Sequence, residues 1–266
     1  MTAISLALSI LGTLPVLAAI WYWVQRFQRG RRILRFSRTA PIDLVLTTSS
    51  VKRATHGVPA SRPLTGYGQV RAVASCVRAL TSLYPGKDVT IHLSGFIRNR
   101  LDRDLVILGG PAKNEAAVAF LEDFLRAHDL RKLSFDDVAD TLEIADYHGR
   151  EFSIKDFDPH IAGGYPATDY GLIILTDHSG GNDRPHRSIL CAGFTTYGTA
   201  ASAEYLFEDL VRLSPRKLAR RTGIRARRHS TAFVVVVSAR FSRGECTEVR
   251  PVFALAVNAR RAERLA

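Results

Sequence analysis

The chain has 266 residues, 46% of them hydrophobic and 23% charged, with 19 Gly and 11 Pro. That excludes a wholly disordered, collagen-like or low-complexity chain, and even without the first 40 residues enough remains to bury a sizeable core. The net charge of +12 comes from 31 Arg and 6 Lys set against 25 acidic side chains, a balance that directs attention to nucleic acid or an anionic membrane surface.

The amino-terminal segment accounts for half of that excess. No charged side chain occurs from Thr2 to Gln25, and the apolar core Ile4–Val24 spans 21 residues, whereas a helix needs roughly 20 to cross a bilayer. Trp21, Tyr22 and Trp23 close the run, where aromatic rings favour the headgroup level. Arg26, Arg29, Arg31, Arg32, Arg35 and Arg38 follow without an intervening acid. Pro15 is tolerable in a membrane helix as a mild kink. A cleaved secretory signal would need a basic residue ahead of a shorter apolar core, and Leu17-Ala18-Ala19 is a poor cleavage site. The sequence therefore predicts a single-pass anchor over residues 1–25, its short N-terminus outside. An Arg-rich juxtamembrane linker over 26–40 and a cytoplasmic α/β domain over 41–266 follow. Cys76, Cys191 and Cys246 are odd in number with no Cys-x-x-Cys spacing, which suits reduced, buried thiols.

Beyond Pro41 the pattern alternates between apolar runs and helical spacing. Ile42–Leu46 reads as a buried strand and the stretch after it as a polar loop. Val70, Val73, Val77 and Leu80 mark a helix face that Pro85-Gly86 ends. Val89–Leu93 alternates as a strand, and Leu105–Leu108 is fully apolar. Asn114 is placed to cap a helix with Val118, Leu121, Phe124 and Leu125 on its apolar side. Thr141–Ala145 and Glu151–Ile154 read as short strands. Tyr170–Leu175 and Ile189–Ala192 read as a long hairpin, and Ala203, Leu206, Leu210 and Leu213 as a helix. Ser214-Pro215 opens a short basic helix, and Phe233–Val237 with Val252–Val257 makes a second hairpin. Together these predict a Rossmann-like mixed sheet, mostly parallel at its centre with antiparallel hairpins near the C-terminus.

In such a sheet ligands bind beyond the carboxyl ends of the strands. Three loops should open there: one with Thr47, Thr48, Ser49, Thr65, Gly66 and Gly68; one with Gly109, Gly110 and Asn114; and one with Gly193, Thr195, Thr196 and Gly198. Glycine admits close approach, hydroxyls donate hydrogen bonds and helix N-termini favour anions. No Gly-x-Gly-x-x-Gly follows the first strand, and no Gly-x-x-x-x-Gly-Lys-Ser/Thr occurs. The expectation is a small anionic or nucleotide-like ligand, without a cofactor that the residues identify.

Glu115 is a candidate general acid or base, set against its plain reading as a first-turn glutamate facing the helix dipole. Asp146 and His148, Asp158 and His160, and Asp177, His178 and His186 lack the spacing of a helical metal site, so no metal is expected. Cys191 would serve as a nucleophile only beside a histidine. Eight basic residues from Arg212 to Arg228 lack interleaved aromatics and any recognition motif. They read as a solvated face or a contact for anionic lipid rather than for nucleic acid. Three functions stay open: a membrane-anchored sensor or signalling module for such a ligand, a hydrolase or transferase acting on a nucleotide or glycoside, and a membrane-tethered interaction module.

Overall fold

The apolar runs assemble into one seven-stranded sheet. Its strands are β1 (Ile42–Leu46), β4 (Val89–Leu93), β5 (Asp104–Leu108), β9 (Thr168–Ser179), β10 (Pro185–Gly193), β11 (Ala232–Ser242) and β12 (Glu245–Val257). The computed structural model describes residues 3–37, 40–47, 49–55, 58–64, 66–96, 103–128, 133–136, 141–144, 150–153, 167–179, 185–209, 232–242 and 245–257, with side chains of the first helix described from Leu14 on, Arg26 excepted. The strand order is β12-β11-β9-β10-β5-β1-β4. Strands β4, β1, β5 and β10 are parallel, whereas β9, β11 and β12 join by antiparallel pairing. The sheet thus has a parallel half and an antiparallel half that meet at β10. As expected, β1 and β5 are interior, and both hairpins form.

Side chains alternate across β1 and β5, and each set meets its own layer. Ile42, Leu44, Leu46, Val106 and Leu108 face one core with helix α2 (Tyr67–Leu83) and the π-helical turn Tyr205–Asp209. Val45, Leu105 and Ile107 face the other core with helix α3 (Glu115–His128). That second face also takes Leu133 and Leu142, from a small sheet of β6 (Leu133–Asp136), β7 (Thr141–Ile144) and β8 (Arg150–Ser153). A strand buried on both faces reads as a continuous apolar run, which is why β1 and β5 were visible in the sequence.

Several local expectations are corrected. The polar loop after β1 contains a hairpin, β2 (Ser49–Thr55) with β3 (Val58–Leu64), paired from Ser49 with Leu64 to Thr55 with Val58. Such local antiparallel pairing needs no apolar alternation to form. Helix α2 keeps part of the expected face inward, with Leu80 buried and Val73 and Val77 packed against the core, but Val70 is 55% exposed, and Gly68, Gln69, Ala72, Ser75 and Cys76 are buried as well. Its partner is helix α4 (Thr196–Glu204), itself rich in Ala and Ser, and small residues on both sides let the two helices approach closely. In α3 the buried set is Ala116, Ala117, Phe120, Leu121 and Phe124, with Val118 exposed. The helix expected through Leu213 is α4 followed by the π-helical turn; Leu210, Leu213 and the basic stretch after Ser214 lie outside the described residues.

Helix α1 runs from Ala3 to Leu34 with Pro15 inside it. Its described apolar part, Leu14–Val24, is exposed, and among the described residues no helix is long and apolar enough to cross a membrane. The helix continues through the arginines. Leu34 and Phe36 are buried in the core, Arg31 Nε donates to the carbonyl of Leu83 at 2.7 Å, and Phe36 packs edge-on against Tyr84.

Candidate functional site

The carboxyl ends of β1, β5 and β10 do bring the three predicted loops together. Their meeting point is the carbonyl oxygen of Leu108, which accepts from Thr47 Oγ1 at 3.2 Å, Gln69 Nε2 at 3.1 Å and Asn114 Nδ2 at 3.1 Å. Gly109, at φ +116°, has Thr47 Oγ1 where a side chain would begin, and its N–H donates to the carbonyl of Cys191 at 2.9 Å. A Cβ on Gly110 would stand 3.2 Å from the carbonyl of Gly193. Gly66 and Gly68 abut Thr196, and Gly193 abuts Gly198. The loops therefore fill one another. Thr48 and Thr65 lie outside the described residues, as does the side chain of Ser49, which opens β2.

Helix N-termini at this edge have internal acceptors. Asn114 Oδ1 accepts from the N–H groups of Ala116 and Ala117 at 3.1 and 3.3 Å, the expected cap of α3. Thr195 Oγ1 accepts from Tyr197 N at 3.0 Å and caps α4, so Thr196 and Gly198, expected in a loop, begin a helix instead. Asp169, at the start of β9 and fully buried, had no sequence signal beyond an acid entering an apolar strand. Its Oδ2 accepts from Thr195 Oγ1 at 2.5 Å and Gly198 N at 2.8 Å, and its Oδ1 from Tyr170 N at 2.7 Å. Burial pushes this carboxyl up to about 6, outweighing the donors that favour its charge. At neutral pH a carboxylate occupies the place where an anionic ligand would use the dipole of α4.

The remaining candidates are scattered. Glu115 is exposed in the first turn of α3, where a carboxylate suits the dipole. Cys191 is buried, and that burial pushes its thiol far above the ordinary range, as it does for Cys76, so neither supplies a thiolate at neutral pH. His178 and His186 are register partners across β9 and β10, and Asp146, His148, Asp158 and His160 lie outside the described residues. Among the described residues no cluster of His, Cys, Asp and Glu is arranged to hold a metal.

A second polar centre lies at the opposite edge, among the amino ends of the parallel strands. Asp104 is fully buried. Its Oδ2 accepts from Ser37 N at 2.8 Å and pairs with Lys87 Nζ at 3.3 Å, and its Oδ1 accepts from Arg187 N at 2.9 Å. Lys87 also donates to the carbonyl of Ser37, and desolvation lowers its pKa against the pull of Asp104. Arg187, 1% exposed, pairs with Asp177 at 2.7 Å and donates to the carbonyl of Ile33 at 3.2 Å. Arg35 reaches the same Asp177 at 3.5 Å. This network ties the end of α1 to the sheet. Sequence reasoning missed it because Asp104 and Arg187 stand 83 residues apart, and only the topology makes them neighbours.

Two cavities lie along α1. One of about 740 Å³ is lined by Trp23, Phe27, Arg31, Arg32, Phe36 and Tyr84, among others. Arg31 stacks over the Phe27 ring at 4.1 Å. Burial, the largest influence on Tyr84, pushes its hydroxyl up to about 12.

No family model, curated protein or solved structure matches the chain. What the fold and these sites define is a mixed α/β protein with a long amino-terminal helix docked onto its sheet.

Proposed function

We propose that the chain is a single-pass membrane protein whose cytoplasmic α/β domain works as an interaction module held at the bilayer face. The observation that carries this reading is the continuity of α1. Its exposed apolar part, Leu14–Val24, passes without a break into a segment locked to the domain by Arg31, Ile33, Leu34 and Phe36. The described half of that apolar part joins an uncharged sequence that begins at Thr2, together long enough to span a bilayer as a helix. Aromatic residues at 21–23 and arginines from 26 on support a cytoplasmic side for the domain.

Of the three functions open at the outset, the interlocked strand ends favour the module over a nucleotide sensor or a hydrolase. The donors that would take an anion are used internally, and Asp169, the buried carboxylate there, is committed to the N-terminus of α4. The surface offered to a protein partner is edge strand β4. It pairs on one side with β1, and its Ile91 is 51% exposed, so an extended partner segment can add alongside. Two measurements on the full chain test this. Alkaline carbonate should leave the chain in the membrane pellet, and nucleotides or sugar phosphates should not raise its melting temperature in detergent. Release into the supernatant contradicts the anchor; a ligand-dependent rise of several degrees contradicts the module in favour of the sensor.

A further inference from the structure

We infer that α1 carries a binding track for one anionic phospholipid, an inference that rests on the membrane reading above. Two cavities adjoin along a row of side chains that winds around the helix by about 40° for every four residues. The first is an apolar groove of about 490 Å³ lined by Pro15, Val16, Ala19 and Ile20, ending at Trp23 and Val24. The same Trp23 and Val24 open the second, the chamber of about 740 Å³ whose far end holds Arg31 and Arg32. The lining residues recur every four positions from Pro15 to Arg31 and from Val16 to Arg32. At ~1.5 Å of rise per residue the stripe is roughly 24 Å long, the scale of one lipid molecule.

Chemistry changes along the stripe as it does along a lipid. The groove has only aliphatic and aromatic walls. The chamber has a floor of Phe27, Phe36 and Tyr84, two guanidinium groups and no carboxylate among its lining residues. Arg31 is held in place, its Nε donating to the Leu83 carbonyl and its guanidinium carbon over the Phe27 ring. A guanidinium fixed in this way presents its remaining donors to a phosphate at little further loss of freedom. A second copy of the chain is the less favoured occupant. Anchors of one orientation run parallel, and a symmetric pair would set Arg31 and Arg32 against the same two cations.

Of the two tryptophans of the chain, Trp21 and Trp23, only Trp23 lines the cavities, so in a Trp21→Phe background the fluorescence reports on the track directly. The full chain is reconstituted in nanodiscs with brominated phosphatidylglycerol or brominated phosphatidylcholine at equal mole fraction. The track predicts quenching by the anionic lipid at about fivefold lower mole fraction, the worth of a basic side chain at an anionic surface. Arg32→Gln, and separately Arg31→Gln, should bring the two curves together while quenching by the zwitterionic lipid persists. Equal quenching of the Trp21→Phe chain by both lipids overturns the track and leaves the anchor standing. Absence of quenching by either lipid overturns the anchor as well. Preference abolished by millimolar inorganic phosphate assigns the chamber to a soluble anion and overturns the lipid. Loss of quenching by both lipids as chain density rises assigns the stripe to a second copy, which also overturns it.

Discussion

Asp169 Oδ2 lies 2.8 Å from the amide nitrogen of Gly198, joining the entry of β9 to the first turn of α4. Folded Asp169 keeps its proton up to about pH 6, against a usual value of 3.8. Between those values the folded state binds more protons than the unfolded one, so the stability this group contributes falls as pH rises through that window. Asp169→Asn removes the titration. Urea unfolding at pH 4 and pH 7 should show the variant gaining about 2 kcal/mol relative to the unaltered chain over that interval. A constant difference would show that folding leaves the Asp169 carboxyl at its usual value.

Asp104 holds Lys87, Ser37 and the Arg187 backbone at once. Asp104→Ala leaves a buried ammonium and two N–H groups without this acceptor, and should cost about 3–5 kcal/mol in chemical denaturation. Adding Lys87→Met removes the stranded charge, so the double variant should recover at least ~1 kcal/mol of that loss. Strictly additive losses would mean that the two side chains are not coupled.

Gly109 and Gly110 are neighbours with different constraints. Gly109→Ala meets both a φ of +116° and the Thr47 hydroxyl, and should lose about 1–3 kcal/mol or more. Gly110→Ala meets only the Gly193 carbonyl, at 3.2 Å, and should stay within about 1 kcal/mol of the unaltered chain. Thermal unfolding of the full chain distinguishes them. Equal stability of both variants would indicate open space at the strand ends, as a ligand pocket requires.

Burial of large side chains was legible in the sequence, whereas close approach and charge pairing were not. β1, β5 and the β9–β10 hairpin stand out because strands covered on both faces are apolar throughout. The inner face of α2 was read in part: Val73, Val77 and Leu80 do meet the core, whereas hydrophobicity also favours Val70, and packing against α4 selects Gly68, Ala72, Ser75 and Cys76 for their small size. The loops at the strand ends were correctly gathered to one place, since topology alone puts them there. Their mutual filling depends on Thr47, Gln69 and Asn114 converging on one carbonyl, a relationship no local pattern encodes. Asp104 and Arg187 escaped notice for a similar reason, because isolated charged residues in sequence read as solvated and the hydrogen bond from the Arg187 amide to Asp104 is long-range.

The orientation of α1 is the central claim, and protease protection tests it most directly. Protease added to intact cells that express the full chain should leave the domain beyond Arg38 uncut, and the same protease should digest it once the membrane is opened. Cleavage of that domain from outside, or a mature chain beginning near Ala19 or Ile20, would contradict the account.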